Sequence, residues 1–458
     1  MLISPLSQLD FESGLTMYDS ALWHPCSQMK DYANFTPLDV SYCKGSYIHL
    51  KDGTKLIDAI SSWWCKSLGH SHPQIAQALI EQIHCFEHVI LANTTNKIIA
   101  ELSEKLCTLK PWLRHALYAS DGSCAVEIAL KMSLHSRKIT GEAHRTQYIA
   151  LSNGYHGETT GALSVSDISI YTSAYADILF DCYFIKDIPY VCGESDPLWH
   201  NCEKQWNMIE PQLAPLAETA TAIILEPILQ GAGGMKIYSP DFLKRLGAWA
   251  KKHNVHLIAD EIMTGFGRAG KTFAFEYANV QPDFVCIAKG LTAGWLPMSV
   301  TLTTHEMYQH FYQDYESGHN FLHSHTHSGN ALAASVALTV LAILEKEKIN
   351  QKACTLGNYM LAKMQSIATE LPLKNIRQVG ALVAADLITP DKKQRYGYQV
   401  YQAAIKAGAL LRPLGNTIYW APPLNIDVET IDILSCITQQ AIKNQDIKKC
   451  KTIFNKQL

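Results

Sequence analysis

Four groups of residues in this chain carry chemistry, and each has a plain structural reading beside it. Asp260-Glu261 closes the apolar run 255–262 (VHLIADEI). Paired acids at the carboxyl end of a strand lie where open α/β sheets place their ligands; they also fit a solvated strand end. Lys289 closes the next run, 283–289 (DFVCIAK). Burial disfavours an ammonium and lowers its pKa, and a neutral amine beside a carboxylate is what imine-forming chemistry needs. By itself Lys289 reads as well as a structural lysine. Ser120-Asp121-Gly122-Ser123 precedes a helix beginning near Cys124. Small residues there let backbone N–H groups approach an anion, which the helix dipole favours; an ordinary N-cap is the alternative. Asn153-Gly154-Tyr155-His156-Gly157 follows the apolar stretch 148–151 and reads as a tight turn presenting an aromatic ring.

An amine, an acid, an anion loop and a stacking ring are what pyridoxal 5'-phosphate requires of a protein. The lysine bonds the aldehyde. The acid, ionised, keeps the pyridine nitrogen protonated so that the ring draws electrons from a carbanion. The loop holds the phosphate, and the aromatic side chain covers the ring.

Such residues must be held at one edge of a sheet. The runs 221–228 (TAIILEPI), 255–262, 283–289 and 298–304 (MSVTLTT) are short and nearly continuously apolar, as in buried strands of a mostly parallel sheet. Ser239-Pro240-Asp241 starts a helix that continues over 242–253 with basic residues near its end. Ala125, Ile128, Ala129 and Met132 recur at helical spacing. The fold class is therefore α/β, with helices on both faces of the sheet. A large domain spans 61–340. From about Leu332 the pattern turns helical, then mixed, with strand candidates at 380–387 and 417–420, giving a smaller α+β domain over 341–458. The N-terminal segment 1–60, with Asp52-Gly53 as a hairpin turn, packs with that smaller unit.

Length and composition bound the rest. The chain has 458 residues, 47% hydrophobic, with a net charge of -3. Mixed charges without a basic stripe argue against a nucleic-acid partner, and no polybasic patch or long apolar span points to a membrane. Thirteen cysteines, odd in number and without a C-x-x-C pair, read as free thiols of a reducing compartment. Residues 1–10 lack the pattern of a signal peptide, so the cytoplasm is the expected location.

The motifs carry a resemblance that covers nearly the whole chain. The stretch 257–289 (LIADEIMTGFGRAGKTFAFEYANVQPDFVCIAK) resembles the class-III, fold-type-I aminotransferases. Leu22-Trp23-His24-Pro25, Ser61-Ser62-Trp63-Trp64, the 153–157 turn, 226–235 (EPILQGAGGM) and Leu411-Arg412-Pro413-Leu414-Gly415 are similar to particular members of that family. Those members move the amino group of S-adenosyl-L-methionine to 8-amino-7-oxononanoate, giving 7,8-diaminononanoate in biotin biosynthesis. The resemblance implies that Lys289 is the Schiff-base lysine and proton shuttle, that Asp260 pairs with the pyridine nitrogen, and that Tyr155 stacks on the ring. It places His156 at the cofactor and Gly122 and Ser123 on the phosphate. It sends Thr326 to the phosphate of a neighbouring subunit, which implies an obligate homodimer. Arg412 grips a substrate carboxylate, Trp63 and Trp64 line an apolar substrate tunnel with Tyr155 and Lys289, and Arg268 sits near the substrate entrance. The implied kinetics are ping-pong, with one site serving two unlike molecules.

Three positions depart from the family pattern. Cys26 follows Trp23-His24-Pro25 where tyrosine is usual, which leaves lysine open as an alternative donor. The phosphate loop reads Ser120-Asp121-Gly122, and Asp121 is expected to point outward or to cap the helix. Glu158 replaces the commoner aspartate. Other class-III transaminases, acting on an ω-amino acid or a diamine, form the nearest alternative. His323, His325 and His327 alternate on an extended segment and could share a face as zinc ligands, but the resemblance assigns that segment to the subunit-crossing phosphate loop, so no metal is expected. Gly231-Ala232-Gly233-Gly234 lacks the spacing of a dinucleotide loop.

Overall fold

The apolar runs fold as strands because each buries both of its faces. The computed structural model describes residues 21–389 and 395–443; the expectation for residues 1–10 lies outside them. In chain order the strands are β1 (Val40–Lys44), β2 (Tyr47–Leu50), β3 (Lys55–Asp58), β4 (Leu113–Ala119), β5 (Gln147–Leu151), β6 (Cys182–Ile185), β7 (Tyr190–Val191), β8 (Ala220–Leu225), β9 (Leu229–Gln230), β10 (Lys236–Tyr238), β11 (His256–Asp260), β12 (Phe284–Ile287), β13 (Ser299–Thr304), β14 (Leu373–Val379), β15 (Leu382–Leu387), β16 (Ala409–Leu410) and β17 (Thr417–Trp420).

A seven-stranded sheet runs β4-β13-β12-β11-β8-β5-β6. The pairings β12–β11, β11–β8, β8–β5 and β5–β6 are parallel, while β13 opposes both of its neighbours. The connection between β12 and β13 holds only the 3-10 turn Lys289–Thr292. A parallel return needs a crossover of a dozen or more residues, so β13 comes back antiparallel.

Side chains alternate between two cores, as strand geometry requires. Ile223 and Leu225 of β8, Leu257 and Ala259 of β11, and Val285 and Ile287 of β12 join one buried cluster. Ala222, Ile224, Ile258, Phe284 and Cys286 join another on the opposite face. The helix Gly122–Ile139 covers the second face through Ala125, Ile128, Ala129 and Met132. The helix Pro240–Lys252 covers the first through Phe242, Leu246 and Trp249. Ser239 caps that helix, its hydroxyl accepting from the Phe242 N–H at 3.3 Å.

Helices Ala331–Lys346 and Ile349–Ala368 follow, and a sheet of order β14-β15-β17 packs on the second of them. The hairpin β2–β3 is antiparallel around Asp52-Gly53, and β16 adds to β3 in parallel. Ile57 of β3 thereby shares a buried cluster with Met360, Val383 and Trp420. Among the described residues no helix is long and apolar enough to cross a membrane.

One close approach fixes how the long helix sits. A Cβ on Gly357 would lie 1.7 Å from the carbonyl oxygen of Gly380, and Gly380 itself has φ +50° with a would-be Cβ 2.2 Å from the Ala269 carbonyl carbon. Gly357→Ala gains helix propensity of at most about 1 kcal/mol, against an overpacking cost of about 1–3 kcal/mol. The contact is with backbone, so the cost is expected to win. Thermal unfolding should show a lower midpoint for Gly357→Ala, whereas an equal or higher midpoint would show that the helix can shift without loss.

Candidate active site

Because β4, β5, β8, β11 and β12 run the same way, their carboxyl ends meet at one edge. The loops leaving that edge carry Ser120–Ser123, Tyr155–Glu158, Glu226, Asp260 and Lys289, which together line a cavity of about 480 Å³. Trp64 closes one side, its ring centroid 4.7 Å from the Lys289 Nζ. The Trp64 indole N–H donates to the Tyr419 hydroxyl at 3.0 Å, which fixes that ring.

Asp260 is buried at the end of β11. Its Oδ2 lies 2.7 Å from His156 Nδ1, and its Oδ1 accepts from the Ile262 N–H at 3.1 Å. The His156 backbone N–H is held by the Ser166 hydroxyl at 2.9 Å. Lys289 follows β12 by two residues, in the left-handed region at φ 40°. A non-glycine residue there is strained and persists only where its surroundings enforce it. Burial pushes the Lys289 ammonium down from its ordinary value, while Asp260 and Glu226 oppose that shift.

The candidate anion loop leads from β4 into the helix Gly122–Ile139. Asp121 occupies the N-cap position, is exposed and makes no side-chain capping hydrogen bond, and it lines the cavity with its neighbours; Gly122 opens the helix. The first turn of a helix offers N–H groups without intrahelical acceptors. Gly157, at φ +129°, lies against it: a Cβ there would meet Ser123 Cβ at 2.3 Å. Tyr155 is half-buried, its hydroxyl donating to Glu158 Oε1 at 2.9 Å and its N–H donating to Glu226 Oε2 at 3.0 Å.

A second, larger cavity of about 1430 Å³ is lined by Cys26, Trp63, Tyr171, Lys236 and Arg412 among others. The two cavities are lined by neighbouring residues. Trp63 and Trp64 are neighbours on a turn with positive φ at Ser61, Ser62 and Trp64, and each lines a different cavity. The Tyr155 and Tyr171 rings, 5.3 Å apart, do the same. The Arg412 guanidinium stacks 4.4 Å from the Trp63 ring and donates to the Cys26 carbonyl at 3.0 Å.

Lys289, Asp260, Tyr155, His156, Gly122, Ser123 and Trp64 are thus brought to the first cavity, and Trp63 and Arg412 to the second. Two expected site residues line neither. Arg268 is buried, donating to the Ala381 carbonyl at 2.9 Å and to Ser61 Oγ at 3.1 Å. Positive φ at Phe266 and Gly267 turns its loop back into the protein. Thr326 is exposed, and its carbonyl accepts from His88 Nε2 at 2.8 Å. The histidines do not converge as one alternating face. His323 and His325 touch through their Nε2 atoms at 3.0 Å, whereas His327 turns to His88. Among the described residues no group of three or more metal-ligand side chains comes together.

Sequence reasoning assigns Glu226 no site role, though it opens the 226–235 motif at the end of an apolar strand. It is buried, it accepts from the N–H groups of Tyr155 and Gly231, and burial pushes its carboxyl up to about 7. Tyr171 lies in no motif, and nothing in the sequence marks it.

Known proteins share this chain's sequence and architecture. The class-III aminotransferase family model matches residues 28–442. A protein of Helicobacter pylori (strain ATCC 700392 / 26695) named adenosylmethionine-8-amino-7-oxononanoate aminotransferase is 39% identical over 429 residues, covering 92% of this chain and 96% of its own. A protein of the same name from Aquifex aeolicus (strain VF5) is 34% identical, covering 92% and 95%. The crystal structure of the so-named enzyme from Methanocaldococcus jannaschii DSM 2661 superposes with a TM-score of 0.85 at 31% identity, covering 93% of this chain and 97% of that one. A PLP-bound amine transaminase from an uncultivated Pseudomonas species gives 0.86 at 28% identity, covering 93% and 99%. The chain belongs to the class-III, fold-type-I aminotransferases, transaminases that depend on pyridoxal 5'-phosphate.

Proposed function

We propose that this enzyme moves the amino group of S-adenosyl-L-methionine to 8-amino-7-oxononanoate, yielding 7,8-diaminononanoate for biotin biosynthesis, in two half-reactions at one site. The observation that carries the reading is the large cavity with an aromatic and a cationic wall, Trp63 beneath Arg412, opening beside the Lys289 cavity. Relatives bearing that activity in their names align over most of the chain.

The residues present fit the cofactor. Gly157 lets the 155–158 turn press on Ser123, so the helix terminus faces the cavity. Asp260 and Lys289 line the same space. When bound, pyridoxal 5'-phosphate supplies an aldehyde for amines and a ring that takes up electrons. Gly122 and Ser123 would hold its phosphate, Tyr155 would cover its ring and Asp260 would face its ring nitrogen. His156 positions the Asp260 carboxylate through the 2.7 Å contact. The Lys289 amine, lowered by burial, moves the proton at the substrate Cα. Arg412 binds the substrate carboxylate, and Trp63 packs on the apolar chain. Arg268 acts one layer behind, holding Ser61 and through it the tryptophan turn.

Thr326 lines neither cavity of its own subunit, so any phosphate it serves belongs to a second copy. The loop it sits on carries Tyr315 and Leu322, 89% and 84% exposed, and its contact with His88 adjoins exposed Val89 and Ile90. An apolar surface of that kind supports a homodimer. Buried Cys202 and Cys286 are free thiols, which supports a cytoplasmic location.

Two measurements test this reading. The purified enzyme is offered S-adenosyl-L-methionine or lysine with 8-amino-7-oxononanoate. Diaminononanoate should form with the first donor, and formation with lysine alone, or with neither, would overturn the donor or the reaction. The second measurement concerns Glu226, whose carboxyl rises from its ordinary 4.5 to about 7 in the fold. Between those values the folded protein keeps a proton that the unfolded chain has released. The stability this contributes is full below about 4.5 and is lost as pH rises to about 7. Glu226→Gln cannot titrate there. The melting midpoint of wild type relative to Glu226→Gln should fall across that window, and a difference independent of pH would contradict the assignment.

A further inference from the structure

The reading of Arg412 as a carboxylate grip leaves a question about the rest of that grip. Arg412 uses one Nη2 contact on the Cys26 carbonyl and lays its face on Trp63. A guanidinium has five N–H donors, so it retains donors for a ligand in the cavity.

Tyr171 lines the same wall, on the short helix Ser169–Thr172. Its hydroxyl is 3.7 Å from Cys26 Sγ, a residue 145 positions away in the chain. A thiol is a weak donor and a weak acceptor, and this contact is long. The partner is also exposed and lines the cavity. The ring of Tyr171 is braced 5.3 Å from Tyr155, whose own hydroxyl is committed to Glu158. Tyr171 is therefore a half-buried phenol with a fixed ring, a weak polar partner and an open cavity in front of it. Burial pushes its pKa up, with the Cys26 and Glu158 groups adding to that and Arg412 opposing it. The phenol stays protonated at neutral pH and is a donor.

We infer that Tyr171 is a specificity-determining residue: its hydroxyl leaves Cys26 and donates a second hydrogen bond to the substrate carboxylate held by Arg412. The inference rests on the Arg412 reading above and extends it to a residue on another chain segment. The ligand class is a carboxylate at the end of an apolar chain, with Trp63 beside the chain and Arg412 and Tyr171 converging on the head. A hydrogen bond to a charged acceptor corresponds to a roughly 10- to 100-fold change in affinity.

The test is direct binding to the cofactor-loaded enzyme, which does not depend on which amine the enzyme transfers. Nonanoate and its uncharged counterpart nonanamide are titrated by calorimetry into wild type and Tyr171→Phe. Nonanoate should bind wild type and weaken by about 10- to 100-fold in Tyr171→Phe, while nonanamide shows no such difference. In turnover, the KM for the carboxylate-bearing acceptor should rise with kcat within about threefold. Equal losses for both ligands would reduce Tyr171 to shaping the wall and overturn the inference. Unchanged nonanoate affinity, or no nonanoate binding by wild type, would overturn it as well. Failure of the proposed reaction would look different: normal nonanoate binding without diaminononanoate formation.

Discussion

The parallel pairing of β11 with β12 is the constraint on which the site depends. In that register Asp260 lies opposite Cys286, so the chain leaving β12 delivers Lys289 within three residues of the acid's own level. A carboxylate and an amine are thereby held at the end of two adjacent buried strands. Neither position is cheap for the fold. Asp260 is buried and needs His156 and the Ile262 N–H as partners. Lys289 needs a left-handed backbone. Glu226, at the end of β8 next to β11, adds a second acid, and burial moves it toward its neutral form. That leaves less negative charge crowded around Asp260 than two ionised carboxylates would otherwise produce.

Around this pair the chain assembles two kinds of wall. The polar wall comes from backbone turns at the sheet edge, where Gly122 and Gly157 admit close approach of two loops. The aromatic wall comes from a segment between β3 and the next helix, where consecutive positive φ values at Ser61 and Ser62 turn Trp63 and Trp64 to different cavities. That turn is tied from behind: Ser61 donates to the Ala421 carbonyl at 2.8 Å, Ser62 N–H and hydroxyl donate to Asp58, and Arg268 donates to Ser61. The substrate-facing side chains thus depend on a buried polar network shared by the N-terminal strands, the 265–270 loop and the β15–β17 region.

What could be read from sequence was what periodicity and turn chemistry encode. The runs at β8, β11, β12 and β13 are nearly all apolar because both faces are buried, and the acids and lysine that end them stand out for that reason. The Asp52-Gly53 hairpin and the Ser239 cap announce themselves by residue type. Strand direction was less legible. The 298–304 run looks like its neighbours, yet β13 reverses because its connection is too short for a crossover. Side-chain direction was harder still. Arg268 belongs to a motif that leads straight to Lys289, but the loop's positive φ values turn it inward to Ala381 and Ser61. The alternating histidines suggested one face, and the irregular loop split them. Tyr171 meets Cys26 across 145 residues of sequence, a contact that no local pattern can signal.

The central claim is that the reactive amine is the one following β12, at the edge where Asp260 ends β11. Borohydride reduction of the cofactor-loaded protein, followed by peptide mapping, tests it most directly because the reduced bond survives digestion. The pyridoxyl group should appear on the peptide containing Lys289. Its recovery on any other lysine would contradict the account.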